Sequence, residues 1–164
     1  MSALVAGVGM VRFSKPGAQE AYPVMASEAI RVALGDAGLG LEDVAQAYAG
    51  YCYGATTCGQ RALYEVGMTG IPVINVRNAC ATGSSALLLA NQAVASGAVD
   101  VALAFGFEES SDFMAIAIRV RGATDNSNGA RSSENLANLF VRRVFKCVHA
   151  IVLADDQRPF LDST

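Results

Sequence analysis

The chain has 164 residues, enough for one domain with a real core, and it is 52% hydrophobic and only 16% charged. Its net charge of -3 excludes an electrostatic case for binding nucleic acid or an anionic membrane. Typical proteins carry about 25% charged residues, so much of this surface is expected to be covered by a second copy or another domain.

The elements follow in chain order. Ala3 to Val8 reads as a short strand running into a glycine turn at Gly7-Val8-Gly9. Tyr22 to Ala37 reads as a helix. Met25, Ala29, Val32 and Ala33 have helical spacing, Pro23 stands near the start and Gly38 at the end. Gln46 to Tyr53 reads as a strand, which makes Cys52 a core residue. Gln60 to Val66 is a short helix between Gly59 and Gly67. Pro72 to Val76 is a β-branched strand that starts at a proline. Ser84 to Ser96 is a helix ending near Gly97. Leu87, Leu88, Leu89, Ala90, Ala93 and Val94 make that helix apolar nearly all round, so it is expected to lie buried between layers. Val99 to Phe107 completes the series as a strand. The alternation predicts a layered α/β domain with a mainly parallel sheet around a buried central helix.

The character of the chain changes near residue 113. Residues 1–113 hold five Lys/Arg and ten Asp/Glu, and residues 114–164 hold seven and five. Fourteen of the sixteen glycines lie in the first part, where tight turns are needed. Two units are therefore expected, 1–113 and a divergent, partly disordered tail at 114–164 that is irregular or helical. Gly122 to Ser133 reads as a polar linker. Glu134 to Leu153 is expected to form a helix, with Leu136, Leu139, Phe140, Val144 and Val148 near one face. A truncation, a splice or frameshift product and a lineage-specific insertion are all compatible with this tail.

One cysteine stands where a strand ends and a helix begins, in Asn75-Val76-Arg77-Asn78-Ala79-Cys80-Ala81-Thr82-Gly83-Ser84. A thiol at a helix N-terminus meets unpaired N–H groups and the positive end of the helix dipole. Both favour the thiolate, which is the nucleophile. Ala79, Ala81 and Gly83 leave room for an incoming group. A buried structural cysteine is the alternative. Arg77 beside a thiolate would favour ionisation and hold a phosphate or carboxylate, or else turn away into a salt bridge. Asn75 and Asn78 are expected to tie down the turn.

Other chemistries find less support. Gly7-Val8-Gly9 lacks the third glycine of a dinucleotide fingerprint. Cys52, Cys58, Cys80 and Cys147 lack metal-ligand spacing, so no metal is expected and the thiols are read as reduced. The single histidine, His149, would serve a Cys/His hydrolase with Cys80, but a lone histidine in an apolar segment is more often a packing or surface residue. Cys147 is read as a bystander. No stretch approaches the roughly 20 apolar residues of a membrane span. With no basic leader and no Ser-Lys-Leu type address, the expected location is cytoplasmic, or peroxisomal in a eukaryotic cell.

Several segments resemble one family in order: Val5 to Phe13, Gly50-Tyr51-Cys52-Tyr53-Gly54, Thr57 to Arg61, Gly67 to Val76, the Cys80 segment and Leu103 to Glu108. The family is the thiolase superfamily, in the branch of sterol carrier protein X thiolases and bacterial lipid-transfer thiolases. The resemblance runs from about residue 3 to about residue 112. It implies an acyltransferase acting on acyl-CoA or 3-ketoacyl-CoA, with Cys80 as the acyl-accepting nucleophile and coenzyme A thioester as substrate, without a bound cofactor. It also implies a homodimer, a tetramer or a partner subunit, with the Cys58-Gly59-Gln60-Arg61 loop near the partner's active site. The family's Gly-His-Pro histidine and Cys-x-Gly second cysteine lie in its C-terminal half, and neither His149-Ala150-Ile151 nor Cys147-Val148-His149 matches them. Two alternatives follow: a truncated, non-catalytic fragment that associates with a full-length relative, and a retro-aldol lyase on steroid side chains. The family packs two similar halves face to face, so one half is expected to expose an apolar face.

Overall fold

A computed structural model describes residues 3–12, 14, 18–108 and 148–155. Among the described residues are five strands and three α-helices: β1 Ala3–Val11, α1 Tyr22–Ala37, β2 Gln46–Gly50, α2 Cys58–Tyr64, β3 Val73–Val76, α3 Thr82–Ala95, β4 Val101–Gly106 and β5 Val148–Asp155. The strands form one sheet in the order β1-β5-β4-β2-β3. β2 runs parallel to β3 and β4, whereas β5 runs antiparallel to β1 and β4. Four of the five strands therefore share a direction, and their carboxyl ends lie at one edge of the sheet.

α1 keeps the bounds its sequence predicts. Pro23 sits in its first turn, and Gly38 closes it in a left-handed conformation at φ 64°. Met25, Ala26, Ala29, Ile30, Ala33 and Leu34 are buried, but Val32, expected on the same face, is 48% exposed. α1 and α2 cover one face of the sheet and share the larger core with Ala47, Ala49, Leu103, Phe105 and Val152. α3 covers the other face, against Tyr48, Ala102, Ala104 and Leu153.

Three expectations are corrected. The Gly7-Val8-Gly9 turn does not exist, because β1 runs through it to Val11. Its glycines serve close packing instead: a Cβ on Gly7 would lie 2.4 Å from the Ala33 carbonyl oxygen, and one on Gly9 would lie 2.1 Å from that of Ala29. The helix expected over Glu134 to Leu153 is, over its described residues, the strand β5. Pairing on both sides of β5 satisfies the backbone groups of β1 and β4, and this tertiary gain overrides a local helical pattern. Residues 134–147, the linker at Gly122 to Ser133 and Cys147 lie outside the described residues. Finally, α3 is not buried all round. Thr82, Ala86, Ala90 and Val94 are buried, while Leu88 on the outer side is 56% exposed.

Candidate active site

β3 stops at Val76, and a single 3-10 turn, Ala79–Ala81, joins it to α3. Thr82 reaches back from the first position of α3 and donates its hydroxyl to the Val76 carbonyl. Asn78 donates its amide to the Ser85 hydroxyl at 2.9 Å, which ties the turn to the helix as expected. Asn75 faces α2 instead. It accepts from the Gly59 N–H at 2.9 Å and donates to the Gln60 side chain at 2.7 Å. The Cys58 to Arg61 segment is thereby the start of α2 docked on its own sheet, with Cys58 buried.

Cys80 is exposed within the turn. It lines a cavity of about 350 Å³ whose wall is completed by Cys52, Thr82, Ser84, Leu87, Phe107, Glu108 and Ile151. The cavity lies at the carboxyl edge of the parallel strands, where α/β sheets bind ligands. Gly50 lets β2 end directly beneath the helix start, since a Cβ there would lie 2.9 Å from the Thr82 carbonyl oxygen.

Two other strands deliver side chains to the same edge. β2 and β4 end at Gly50 and Gly106, which are register partners. Each is followed by an aromatic residue and then a polar one: Tyr51-Cys52 and Phe107-Glu108. The Glu108 carboxylate accepts from the backbone N–H groups of Cys52 at 2.8 Å and Tyr53 at 3.1 Å. Arg77 donates to the Cys52 carbonyl at 2.9 Å and lies over the Tyr51 ring, 5.8 Å from its centroid. It thus braces the loop after β2 through a backbone carbonyl. Burial, aided by the negative charge of Glu108 and by Cys80, pushes the Cys52 thiol up to about 11, against a lesser downward pull from Arg77.

Of the residues singled out from sequence, Cys80 and Arg77 are brought to this edge. Cys58 is on α2. His149 takes the register position opposite Gly106 and Met10. Cys52 is not core, because β2 ends two residues before it and it is half-buried in the cavity wall. Glu108 carried no role in the sequence reading. The signal for both was the repeated glycine-aromatic-polar ending of two strands. No group of three or more His, Cys, Asp or Glu among the described residues is arranged to hold a metal ion. No helix among them is long and apolar enough to cross a membrane.

Comparison with known proteins identifies relatives of this chain. Residues 5–155 match the family model for the thiolase N-terminal domain, so the match continues past residue 112, where the resemblance read from sequence stops, and takes in β5. Non-specific lipid-transfer protein-like 2 of Caenorhabditis elegans is 54% identical over 106 residues, covering 63% of this chain and 26% of the relative. Human sterol carrier protein 2 is 53% identical over 110 residues, covering 65% and 20%. Benzoylsuccinyl-CoA thiolase subunit BbsB of Thauera aromatica is 34% identical over 113 residues, covering 68% and 29%. The chain therefore spans about a fifth to a quarter of the length of the first two relatives. Among solved structures, a variant of Xanthomonas campestris OleA superposes with a TM-score of 0.73 at 16% identity, over 96% of this chain and 59% of that one. The priming β-ketosynthase of the R1128 polyketide pathway gives 0.68 at 19% identity, over 96% and 51%. At such identities these two speak for the fold alone. A strand-turn-helix corner at the carboxyl edge of the sheet and a family match from β1 through β5 lead to one conclusion: the chain belongs to the thiolase family and carries its N-terminal domain.

Proposed function

We propose that the chain performs the acyl-accepting step of thiolase chemistry, with Cys80 as nucleophile toward an acyl-CoA or 3-ketoacyl-CoA. The observation that carries this reading is the exposed Cys80 on a turn between β3 and α3, facing a cavity of about 350 Å³. With an acyl-CoA, the Cys80 sulfur attacks the thioester carbonyl, a new carbon–sulfur bond forms, the bond to the coenzyme A sulfur breaks, and coenzyme A takes up the proton lost by Cys80 and leaves as the thiol. With a 3-ketoacyl-CoA, the sulfur attacks the 3-keto carbonyl, the C2–C3 bond breaks, and C2 takes up the proton as the shortened acyl-CoA leaves. The lipid-transfer and thiolase relatives support acyl-CoA as the substrate class. Residues 114–164 are read as a divergent segment that still returns a strand to the sheet, and a cytoplasmic location belongs to the same proposal. Incubation with a short acyl-CoA is expected to add one acyl mass to the intact chain and none to a Cys80→Ala chain. Equal adduct on both chains, or none on either, would refute the assignment.

A second reading, association with itself or with a longer relative, is favoured by a specific surface. Val8 and Met10 of β1 and Leu88 of α3 are each more than half exposed, and large exposed apolar surface marks an interaction site. Light scattering at micromolar concentration is expected to show a dimer or larger species, and Leu88→Lys to shift it toward monomer. A monodisperse monomer of the unaltered chain would sink this reading.

A further inference from the structure

We propose that Cys52 is a positioning residue for the nucleophile turn. Its thiol holds the Ala79 carbonyl, and through it the Ala79–Cys80 peptide, in the conformation that presents Cys80 to the cavity. This role rests on the acyl-transfer reading of Cys80.

Ala79 is the one non-glycine residue with positive φ among the described residues, at 45°. That conformation is disfavoured for an L side chain, and such residues persist only where their surroundings hold them. The Cys52 thiol supplies a hold, donating to the Ala79 carbonyl at 2.9 Å. Cys52 is itself fixed at both ends of its backbone. Glu108 accepts from its N–H at 2.8 Å, and Arg77 donates to its carbonyl at 2.9 Å. The carboxyl ends of β2, β3 and β4 are thus linked through one residue, and the last link is the peptide that carries Cys80.

The proton needed for this bond is present at neutral pH. The ionisable groups around the thiol are Glu108, Cys80, Arg77 and Tyr53. Burial first, then Glu108 and Cys80, raise its titration from 9.0 to about 11, and Arg77 lowers it by less. Glu108 also lies beside the thiol as a second acceptor, its oxygens already accepting from the Cys52 and Tyr53 N–H groups, while the Ala79 carbonyl accepts from the thiol at 2.9 Å. Two cysteines share the cavity, and burial with a neighbouring carboxylate keeps Cys52 a donor and not a second nucleophile. Alkylation of Cys52 in a Cys80→Ala chain, which lacks one of the raising groups, is expected to rise with an apparent pKa clearly above 9.0, and a value near 9.0 would contradict the buried, carboxylate-flanked setting.

The deciding experiment follows acylation of Cys80 by a short acyl-CoA, and its alkylation by iodoacetamide, in Cys52→Val and Cys52→Ser chains. Valine fills the site without a proton to donate, and serine restores a donor. Cys52→Val is expected to slow acylation about tenfold or more, and Cys52→Ser to recover most of the loss, because small misplacements of a reacting group are costly. Acylation at the unaltered rate in Cys52→Val would overturn the positioning role and leave the role of Cys80 intact. Equal losses in both variants would also overturn it, since packing and not donation would then be at work. Absence of any adduct on the unaltered chain would refute acyl transfer. The iodoacetamide rate at Cys80 would still judge the hold: a change in Cys52→Val restored in Cys52→Ser supports it, and no change refutes it. Should Cys52→Val fail to fold, Cys52→Ala takes its place in the same comparison.

Discussion

Phe107→Ala is expected to cost the fold about 3–5 kcal/mol, the range for deleting a buried aromatic side chain. Phe107 is 3% exposed and follows directly on β4. Its ring stacks on Tyr22 of α1 at 4.7 Å and on Tyr51 at 5.1 Å, and it lies 6.3 Å from Phe105. Stacked aromatic pairs add about 0.5–1.5 kcal/mol beyond the area they bury. The residue therefore joins a helix, a strand end and the loop after β2 in one column. Its backbone N–H also donates to the Gly50 carbonyl at 3.2 Å, which extends the pairing of β2 and β4 to the brink of the cavity. In a chain of this size the melting temperature is expected to fall by roughly 10 °C, at about 2–4 °C per kcal/mol. Phe107→Leu keeps most of the volume and is expected to cost less than half as much. Thermal and urea denaturation of the three chains checks this. A loss below about 1 kcal/mol for the alanine variant would mean that the column is not packed as described.

Gly9→Val is the second large effect. The new Cβ would sit 2.1 Å from the Ala29 carbonyl oxygen and 2.6 Å from the Ala33 backbone nitrogen. Both are main-chain atoms of a rigid helix, so no side chain can swing aside to make room. Overpacking of this kind costs about 1–3 kcal/mol or more, and relief here requires α1 to lift off β1. A glycine of α1 itself provides the contrast. Gly35 lies inside α1, and a Cβ there meets nothing within 4 Å. Gly35→Ala is expected to stabilise by about 0.5–1 kcal/mol, since alanine loses less backbone freedom in a helix. Denaturation curves showing opposite signs for the two substitutions confirm the reading. Equal effects would show that β1 and α1 are not in close contact.

These substitutions also separate fold from chemistry. Gly9 and Gly35 lie on the α1 side of the sheet, away from the cavity, so their effects belong to stability. Phe107 supports Glu108 and with it the loop that carries Cys52. Its loss is therefore expected to lower both stability and the reactivity of Cys80.

Elements with local signals were legible in the chain alone. α1 was legible because proline, helical spacing and a closing glycine all agree within sixteen residues. β3, the turn and α3 were legible as a strand, a small-residue corner and a helix, and Cys80 falls in that corner because chain order alone places it there. Tertiary structure decided what depends on neighbours distant in sequence. Gly7 and Gly9 look like a turn until the backbone of α1 is laid across them. Val148 to Leu153 looks helical until β1 and β4 present two rows of unpaired backbone groups, and a strand between them satisfies both. Cys52 and Glu108 stand 56 residues apart. They meet because parallel pairing in register brings Gly50 and Gly106 side by side, and each chain then runs two residues further to the same edge. Local patterns record the preferences of a segment. A site built from the ends of three strands exists only once register and strand order are set, and those are properties of the whole sheet.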